Sequence, residues 1–335
     1  MSSGRTGFGT ASEILTGREM SARDFVGDYF PWMLVVAIYL VAGVFYRDLF
    51  AVDTLESVVV QSTTVIILAI GMAFTLVVAE IDLSIVSALL FAPLMGLFAV
   101  QAGAPMVVGL LVTALVGLLI GAWNGIVITK VGVPSLIQTL ASWWILQGAV
   151  LSLTQGRSIA DFPELYYQVG SGSIGPFRNI LFVTLAVVLI AWYYSTHVVS
   201  GRRLFLVGGD PDAAQRMGID VSKYKMHAFL ISGLFAAIGG FVLITRVGVL
   251  SSGTGTNLLM PAIAAPVIAG ISLFGGTGKI INVPAGALLV QVILTITRVA
   301  GVSGYEFQLA QGILVFVAVV LMELKRRDKL FGGWV

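Results

Sequence analysis

Residues 83 to 129 read LSIVSALLFAPLMGLFAVQAGAPMVVGLLVTALVGLLIGAWNGIVIT, and none of these 47 positions carries a charged side chain. A helix needs about 20 consecutive apolar residues to cross a bilayer, so the run is long enough for two crossings. The small residues and the proline of QAGAP, from Gln101 to Pro105, are typical of a turn and divide the run. We therefore expect two membrane-spanning helices joined by a short connection.

The composition of the whole chain is that of a polytopic membrane protein. Hydrophobic residues make up 58% of the 335 positions and charged residues 11%, and the mean hydropathy is +0.99. These values exclude a soluble domain of ordinary charge content.

The absence of cysteine excludes disulfides and cysteine-ligated metals, and a net charge of +2 is too small to indicate nucleic-acid binding. The first thirty residues lack an apolar core, so we expect no cleavable signal peptide.

Charged residues mark the ends of the spans, because a charge near the bilayer centre costs about 3 kcal/mol on insertion scales. The gaps between charges predict an all-α membrane protein with about ten transmembrane helices. The predicted segments are 29–46, 57–79, 83–100, 107–128, 134–154, 179–199, 226–245, 257–274, 282–297 and 307–322. Prolines within or beside them predict that some helices are broken or tilted. These prolines are Pro93, Pro134, Pro261, Pro266 and Pro284.

The distribution of lysine and arginine predicts the orientation. An even number of spans places both termini on one side, and with cytoplasmic tails fourteen of the nineteen basic residues lie inside. The five on the outer side are Arg47, Arg157, Arg178, Arg246 and Arg298. This excess satisfies the positive-inside rule. We expect a cytoplasmic N-terminal tail at 1–28, a transmembrane domain at 29–324 and a cytoplasmic C-terminal tail at 325–335.

The most polar internal stretch is GRRLFLVGGDPDAAQRMGIDVSKYK, residues 201–225, here called the polar loop. It contains the signals of a short helix, since Asp210 can cap it and Pro211 suits its first position. Asp212 and Arg216 suit the two ends of the helix dipole, and Gly218 can end the helix. About two stiff turns between two spans could pass force to a docked protein. An ordinary loop helix is the alternative.

Two pairs of segments suggest an internal repeat. ITKVGVPSLIQTLA from Ile128 resembles ITRVAGVSGYEFQLA from Ile296, and VVAEIDLS from Val77 faintly resembles VIAGISLF from Val267. The predicted orientation places Lys130 inside and Arg298 outside, as in an inverted repeat, which in transporters puts the pathway at the repeat interface. Chance similarity between apolar stretches is the alternative.

Small residues predict where helices contact each other. Gly117, Gly121 and Gly125 recur at a spacing of four residues, which lets another backbone approach closely. A second set with the same property is Gly233, Ala236, Ala237 and Gly240. We interpret both sets as packing surfaces.

Polar residues within the spans are candidates for lining a solute pathway. Glu80 and Asp82 lie where the second span meets the third, and an ionisable group there suggests function. Asp82 with Ser84 could instead cap a helix. Ser135, Gln138 and Ser142 share one helix face, and neutral groups of this kind suit an uncharged, polyhydroxylated solute or interhelical hydrogen bonds. The pathway candidates are Glu80, Asp82, Ser84, Asn124, Gln138, Ser142 and Phe274.

No catalytic constellation is evident in the sequence. The segment LFGGTGKI from Leu273 superficially resembles a phosphate-binding loop, but Leu273 replaces its first glycine and Ile280 its final hydroxyl residue. The chain is therefore expected not to be an enzyme. If ATP drives the protein, the ATPase is another chain.

Five segments share their order and spacing with one transporter family. They are EIDLSIVSALL at Glu80, WNGIVITKVGVPSLIQTLA at Trp123, GRRLFLVGGDPDAAQRMGID at Gly201, AIAAPVIAGISLFGGTGKI at Ala262 and QLAQGILVFVAVVL at Gln308. From the second span onward the chain resembles the permease subunits of bacterial ATP-binding-cassette (ABC) importers of the ribose-type monosaccharide group.

The resemblance implies an importer of the bacterial inner membrane. Two permease subunits would form the pathway, ABC ATPase subunits would bind ATP and Mg, and a periplasmic binding protein would deliver a monosaccharide or related polyol. The chain itself would hold no cofactor and no metal. The resemblance assigns ATPase coupling within the loop 201–225 to Gly208, Gly209, Asp210, Pro211, Asp212, Ala213, Ala214, Gln215, Arg216, Met217 and Gly218.

The chain also departs from the family pattern. Ala79 and Glu80 stand where the family usually has a glycine pair, and Ala269, Gly270 and Ile271 replace a second glycine-rich site. The extra carboxylate could change solute preference. A diverged copy could also be half of a heterodimer, although we expect a homodimer.

Other transporter classes stay open at this point. An ion-coupled secondary transporter would use Glu80 and Asp82 as ion carriers and would need no nucleotide. A branched-chain amino-acid ABC permease is a nearer alternative. The sequence does not name the sugar.

Overall fold

The computed structural model describes residues 22–160 and 162–301, together with Glu306, Leu309, Gly312, Ile313, Phe316 and Val320. In these ranges the protein is built mainly from helices, and the one sheet is a two-stranded antiparallel hairpin of β1 (Ser173–Ile174) and β2 (Phe177–Arg178). The helices are α1 Ala22–Phe45, α2 Val52–Val77, α3 Ile85–Gln101, α4 Met106–Ile126, α5 Ser135–Thr154, α6 Glu164–Gly170, α7 Asn179–His197, α8 Val199–Gly209, α9 Pro211–Arg216, α10 Val221–Val247, α11 Leu259–Ile268 and α12 Val283–Val299. A π-helical turn, Val127–Val131, continues α4, and 3₁₀ turns lie at Arg47–Phe50, Thr256–Leu258 and Ile280–Asn282.

The apolar helices follow the order of the predicted spans. Six described helices are long and apolar enough to cross a membrane, namely α2, α4, α5, α7, α10 and α12. Three shorter apolar helices, α1, α3 and α11, accompany them. Each of these nine overlaps one of the first nine predicted segments. Most of the tenth, 307–322, lies outside the described residues.

Several predicted boundaries are wrong by part of a turn or more. The second span was expected from residue 57, but α2 begins at Val52 and includes Asp53 and Glu56. Counting charges shortened this helix, because a carboxylate such as that of Asp53 is tolerated in a first turn, where it faces the positive end of the helix dipole. The eighth span was expected to reach residue 274, but α11 ends at Ile268.

The core lies around three of the long helices. In α2, α10 and α12, 83%, 78% and 72% of the most apolar 18-residue window is buried inside the protein, against 28% for α4 and 22% for α5. The exposed apolar faces of α4 and α5 suit contact with lipid or another protein surface. Buried central helices surrounded by more exposed ones are the arrangement expected of a membrane bundle.

The two sets of small residues pack helices together, as predicted. A Cβ added at Gly117 would lie 2.4 Å from the carbonyl oxygen of Gly233, and one at Gly121 would lie 2.2 Å from that of Phe229. Gly240 approaches α3 in the same way, since a Cβ there would lie 1.8 Å from the Leu89 carbonyl oxygen. Such contacts between backbones require glycine.

The bundle has two distinct ends. At one end, here called the polar-loop end, the amide of Gly276 donates to the carbonyl oxygen of Val77 at 2.9 Å, beside Gly208. At the opposite end, Ile159 and Leu250 form a β-bridge, and α6 and the β-hairpin lie over the helices. The polar loop itself contains α9 and most of α8, whereas the sequence analysis predicted a single short helix there.

Two interruptions of helical structure occur at the polar-loop end. The first break, residues 78–84, separates α2 from α3, and the second break, residues 269–279, separates α11 from the turn before α12. Proline did not mark them: Pro93 and Pro266 lie inside helices, and Pro284 lies in the first turn of α12. Proline is tolerated in the first turn because it lacks an N–H that would need a partner.

The two faintly similar segments, VVAEIDLS and VIAGISLF, lie close to each other in the structure. Gly276 follows the second segment, and its hydrogen bond to Val77 places both at the polar-loop end. An inverted repeat would place equivalent segments at opposite ends. This pair therefore does not support inversion.

Candidate functional site

The helix predicted in the polar loop is present as α9. Asp210 caps it, because its Oδ1 accepts a hydrogen bond of 2.9 Å from the amide of Ala213, and Pro211 occupies the first position. Arg216 lies in the last turn, and Gly218 beyond it has a φ of 77°. That left-handed conformation favours glycine and ends the helix.

The predicted coupling residues form an exposed surface with a buried base. Ala214 and Gly208 are buried, Ala213 is half-buried, and the methionine that follows the helix, Met217, is 63% exposed. The remaining exposed members are Gly209, Asp210, Pro211, Asp212, Gln215, Arg216 and Gly218. Charges of both signs beside an exposed apolar side chain make this surface suitable for a protein partner.

Gly208 places the polar loop directly against the first break. A Cβ added at Gly208 would lie 1.7 Å from the Val77 carbonyl oxygen and 2.8 Å from the Gly276 amide. Gly276 donates to the same Val77 oxygen. Three backbone segments therefore meet at one point, namely α8, the last residue of α2 directly before the first break, and the second break.

Asp82 anchors a buried polar cluster behind this junction. Its Oδ1 accepts from the amide and hydroxyl of Ser84 at 3.0 and 2.5 Å, and its Oδ2 accepts from the Ser232 hydroxyl at 2.7 Å. The predicted N-cap role is thus only partly correct. Asp82 satisfies the Ser84 amide, but Ser84 occupies the cap position of α3 and makes no side-chain capping bond.

Three further candidates complete the cluster. Asn124 donates from Nδ2 to the Ser84 hydroxyl at 2.8 Å and accepts at Oδ1 from Ser142 at 2.6 Å and from Gln138 at 3.3 Å. We use the term polar cluster for Asp82, Ser84, Asn124, Gln138, Ser142 and Ser232. All six are at most 8% exposed. They join α4, α5 and α10 to the first break.

The first break is also bonded directly to α5. The amide of Leu83 donates to the Thr139 hydroxyl at 3.1 Å, and the amide of Ile81 lies 3.5 Å from the Ser135 hydroxyl. Backbone groups that leave a helix need such partners inside a membrane protein. The hydroxyls of α5 thus hold the non-helical backbone of the break.

The other two candidates lie apart from the cluster. Glu80 pairs through Oε1 with the Lys225 ammonium at 2.5 Å. A cavity of about 320 Å³ adjoins this pair. Phe274 lies in the second break with 56% of its side chain exposed, and its amide donates to the Ser272 hydroxyl. The sequence analysis missed Lys225 and Ser232 as site residues.

The sequence has clear relatives. A profile of the family described as the branched-chain amino acid transport system / permease component matches residues 54–322. The chain is 28% identical over 293 residues to the ribose import permease protein RbsC of Haemophilus influenzae, covering 86% of this chain and 91% of that protein. It is 29% identical over 317 residues to the autoinducer 2 import system permease protein LsrC of Enterobacter sp. strain 638, covering 95% and 90%. With LsrC of Yersinia pseudotuberculosis serotype O:3 it shares 30% identity over 262 residues, covering 78% and 74%.

A solved structure shares the fold. It is described as an inward-facing conformation of an ABC transporter of the metal-chelate type, and it matches with a TM-score of 0.50 at 15% identity. The match covers 89% of this chain and 98% of the other. At this identity the likeness supports the helical arrangement alone.

Proposed function

The chain belongs to the branched-chain amino acid transport system / permease component family, and we propose that it forms the translocation pathway for a monosaccharide or a related polyol. It is the permease subunit of an ABC importer, as the sequence predicted. The observation that carries the solute class is the similarity to ribose and autoinducer 2 import permeases over 86% and 95% of this chain. The branched-chain amino acid alternative is not favoured, because these relatives import other solutes.

The proposed topology has ten spans, with the polar loop and both termini in the cytoplasm. The excess of basic residues supports this orientation, and the tenth span would be 307–322. The proposed inverted repeat would relate the segments at Ile128 and Ile296. Their places support it: Thr129 shares a cavity with Lys225 at the polar-loop end, while Arg298 bonds to Gln61 on α2, away from that end.

The polar loop is the proposed docking surface for the ATPase. The short, capped α9 is stiff, its charged side chains are exposed, and Gly208 connects it to both breaks. ATP binding would close the ATPase subunits and carry α9 with them. The helices would then rock so that the pathway opens to alternate sides.

The proposed assembly contains two permease subunits, two ATPase subunits and a periplasmic binding protein in the inner membrane. ATP and Mg belong to the ATPase subunits, and the permease has no catalytic role of its own. We expect two identical permease copies. Family membership supports the ATPase and the binding protein as partners.

The proposed pathway passes the polar cluster. In the present conformation its members satisfy one another, so a solute would reach them only after the helices separate. Their hydroxyl and amide groups could then exchange mutual hydrogen bonds for bonds to solute hydroxyls. Glu80 and Phe274, one in each break, would line the exit at the polar-loop end.

Reconstitution tests the proposed function. Vesicles containing the permease, its ATPase and its binding protein are supplied with ATP and radiolabelled ribose. We expect uptake that requires ATP and the ATPase subunit. Uptake by the permease alone, driven by an ion gradient, would instead establish a secondary transporter.

A double variant tests the coupling role of α9. Replacing Asp212 and Arg216 together with glycine removes both exposed charges and weakens the helix, by up to about 1 kcal/mol at Arg216 and by less at Asp212. We expect normal membrane insertion but loss of the ATPase stimulation that the permease provides. Normal stimulation would refute the assignment of α9.

A further inference from the structure

The Glu80–Lys225 pair is more buried than the Arg178–Glu56 pair at the opposite end of the bundle. Its charged atoms lie 2.5 Å apart, and the side chains of Lys225 and Glu80 are only 27% and 12% exposed. The side chains of Arg178 and Glu56 are 43% and 42% exposed. A partly buried pair is less screened by water and salt. The attraction between Glu80 and Lys225 is therefore less weakened by solvent than that of the exposed pair.

The segments on the two sides of α9 contact the same short stretch, residues 77–80, where α2 passes into the first break. Before α9, Gly208 lies against the Val77 carbonyl oxygen, and after it, Lys225 binds Glu80. Residues 77–80 are thus held from both sides of the coupling helix.

The pair is also connected to the polar cluster through two segments, the first break and α10. Glu80 is two residues from Asp82 in the first break, and Lys225 is seven residues from Ser232 on α10. Seven helical residues span about 10 Å, two turns of one rigid helix. Ser232 donates to Asp82 at 2.7 Å. α10 is therefore bonded to the first break at two points, here and at the Glu80–Lys225 pair.

The adjoining cavity allows the pair to open. Its volume is about 320 Å³, and hydroxyls of Thr129, Ser135 and Ser222 line it together with both charged residues. A polar space of this size holds several waters, which could solvate the separated charges. The contact at Gly208 is instead close packing of backbone against backbone. Of the two contacts, the ion pair is the releasable one.

We propose that Glu80 and Lys225 form a latch that transmits the movement of α9 to the first break and so controls access to the polar cluster. Both are positioning residues, and the inference rests on the proposed function of the polar loop. When the latch is closed, α10 and the break move as one body. When it opens, water and solute enter between α4, α5 and α10.

A thiol probe follows the latch without needing a solute. The sequence contains no cysteine, so Ser222→Cys places one reactive group in the cavity. In inverted vesicles containing the permease and its ATPase, a membrane-impermeant maleimide labels this thiol with and without ATP. With the latch intact we expect ATP to change the labelling rate about tenfold, within the usual range of coupling between sites.

Three latch variants in the Ser222→Cys background test the inference. Glu80→Gln and Lys225→Met should both abolish the ATP-dependent change in labelling. Lys225→Met, at a residue outside the proposed pathway, should leave ATP hydrolysis unchanged. The exchanged pair, Glu80→Lys with Lys225→Glu, should restore at least part of the change. The matched control is Glu56→Gln, which removes the exposed pair at the opposite end and should keep the full change.

The possible outcomes show whether the pair acts as a latch or only stabilises the fold. They also test the latch independently of the solute assignment. A wild-type labelling response in Glu80→Gln would overturn the inference, as would equal losses of ATP hydrolysis and labelling response in all single variants and in the exchange. In inverted vesicles that also enclose the binding protein and ribose, the ribose moved per ATP should fall about tenfold in Lys225→Met. If the parent importer moves no ribose yet the labelling results hold, the solute assignment fails and the latch stands.

Discussion

Ala79 is one of two non-glycine residues, with Gln155, that have a left-handed backbone in the described part of the chain. Its φ is 59°, in the left-handed region, and its side chain is exposed. The importers that this sequence resembles usually have glycine there. An alanine in this conformation is strained by roughly 1 to 2 kcal/mol. Its methyl group gains little packing in return.

Replacing Ala79 with glycine should therefore stabilise the protein. We expect a gain of about 1 kcal/mol, because relief of the strain exceeds the added flexibility of the unfolded chain. The measurement is the thermal unfolding midpoint of the purified protein in detergent, which should rise. Ala88→Gly, at a buried helical position of α3, is the control and should lower it. A lower midpoint for Ala79→Gly would show that the methyl group is needed.

Residue-level predictions succeeded where the contact is local. Asp210 and its partner Ala213 are three residues apart, so their spacing alone predicts the cap. Lys225 and Ser232 were missed because their partners, Glu80 and Asp82, are 145 and 150 residues away. A serine or lysine at a helix face carries no local sign of such a partner. Only the packing of α10 against the first break brings them together.

At the scale of elements, hydropathy predicted the helices and the place of the first break, between the segments 57–79 and 83–100, but it ended the eighth span six residues too late. The 47-residue run did form two helices, α3 and α4, with the turn at Gln101–Pro105. The breaks arise instead where backbone groups find partners on other segments, as Leu83 does on Thr139. Proline was a misleading sign, because inside a packed bundle neighbouring helices compensate for the hydrogen bond it removes.

Two adjacent glycines test the junction between α8 and the breaks. Gly208→Ala would place a methyl group 1.7 Å from the Val77 carbonyl oxygen, whereas the nearest atom to a Cβ at Gly209 is 3.6 Å away. We expect Gly208→Ala to destabilise the protein by about 2 kcal/mol through overpacking. Gly209→Ala, the matched control, should change stability by less than about 0.5 kcal/mol. Thermal unfolding in detergent measures both, and equal midpoints would show that α8 can shift freely.

At the scale of the whole molecule, the two ends of the bundle differ. The opposite end is covered by α6 and the β-hairpin, whereas the polar-loop end exposes α9 and holds both breaks. Composition and charge predicted a multi-pass membrane protein, and the relatives confirm an importer permease. Neither composition nor charge could predict that both breaks meet Gly208, because that junction exists only after helices distant in sequence have packed.

The central claim is that the polar loop faces the cytoplasm and is driven there by the ATPase. Met217→Cys places the only thiol of the chain beside α9, at a side chain that is 63% exposed. Labelling by a membrane-impermeant maleimide is measured in inverted and right-side-out vesicles, with the ATPase subunit bound or removed. The account predicts rapid labelling in inverted vesicles without the ATPase, protection when the ATPase is bound, and no labelling in right-side-out vesicles. Labelling from the outside, or equal labelling with and without the ATPase, would contradict it.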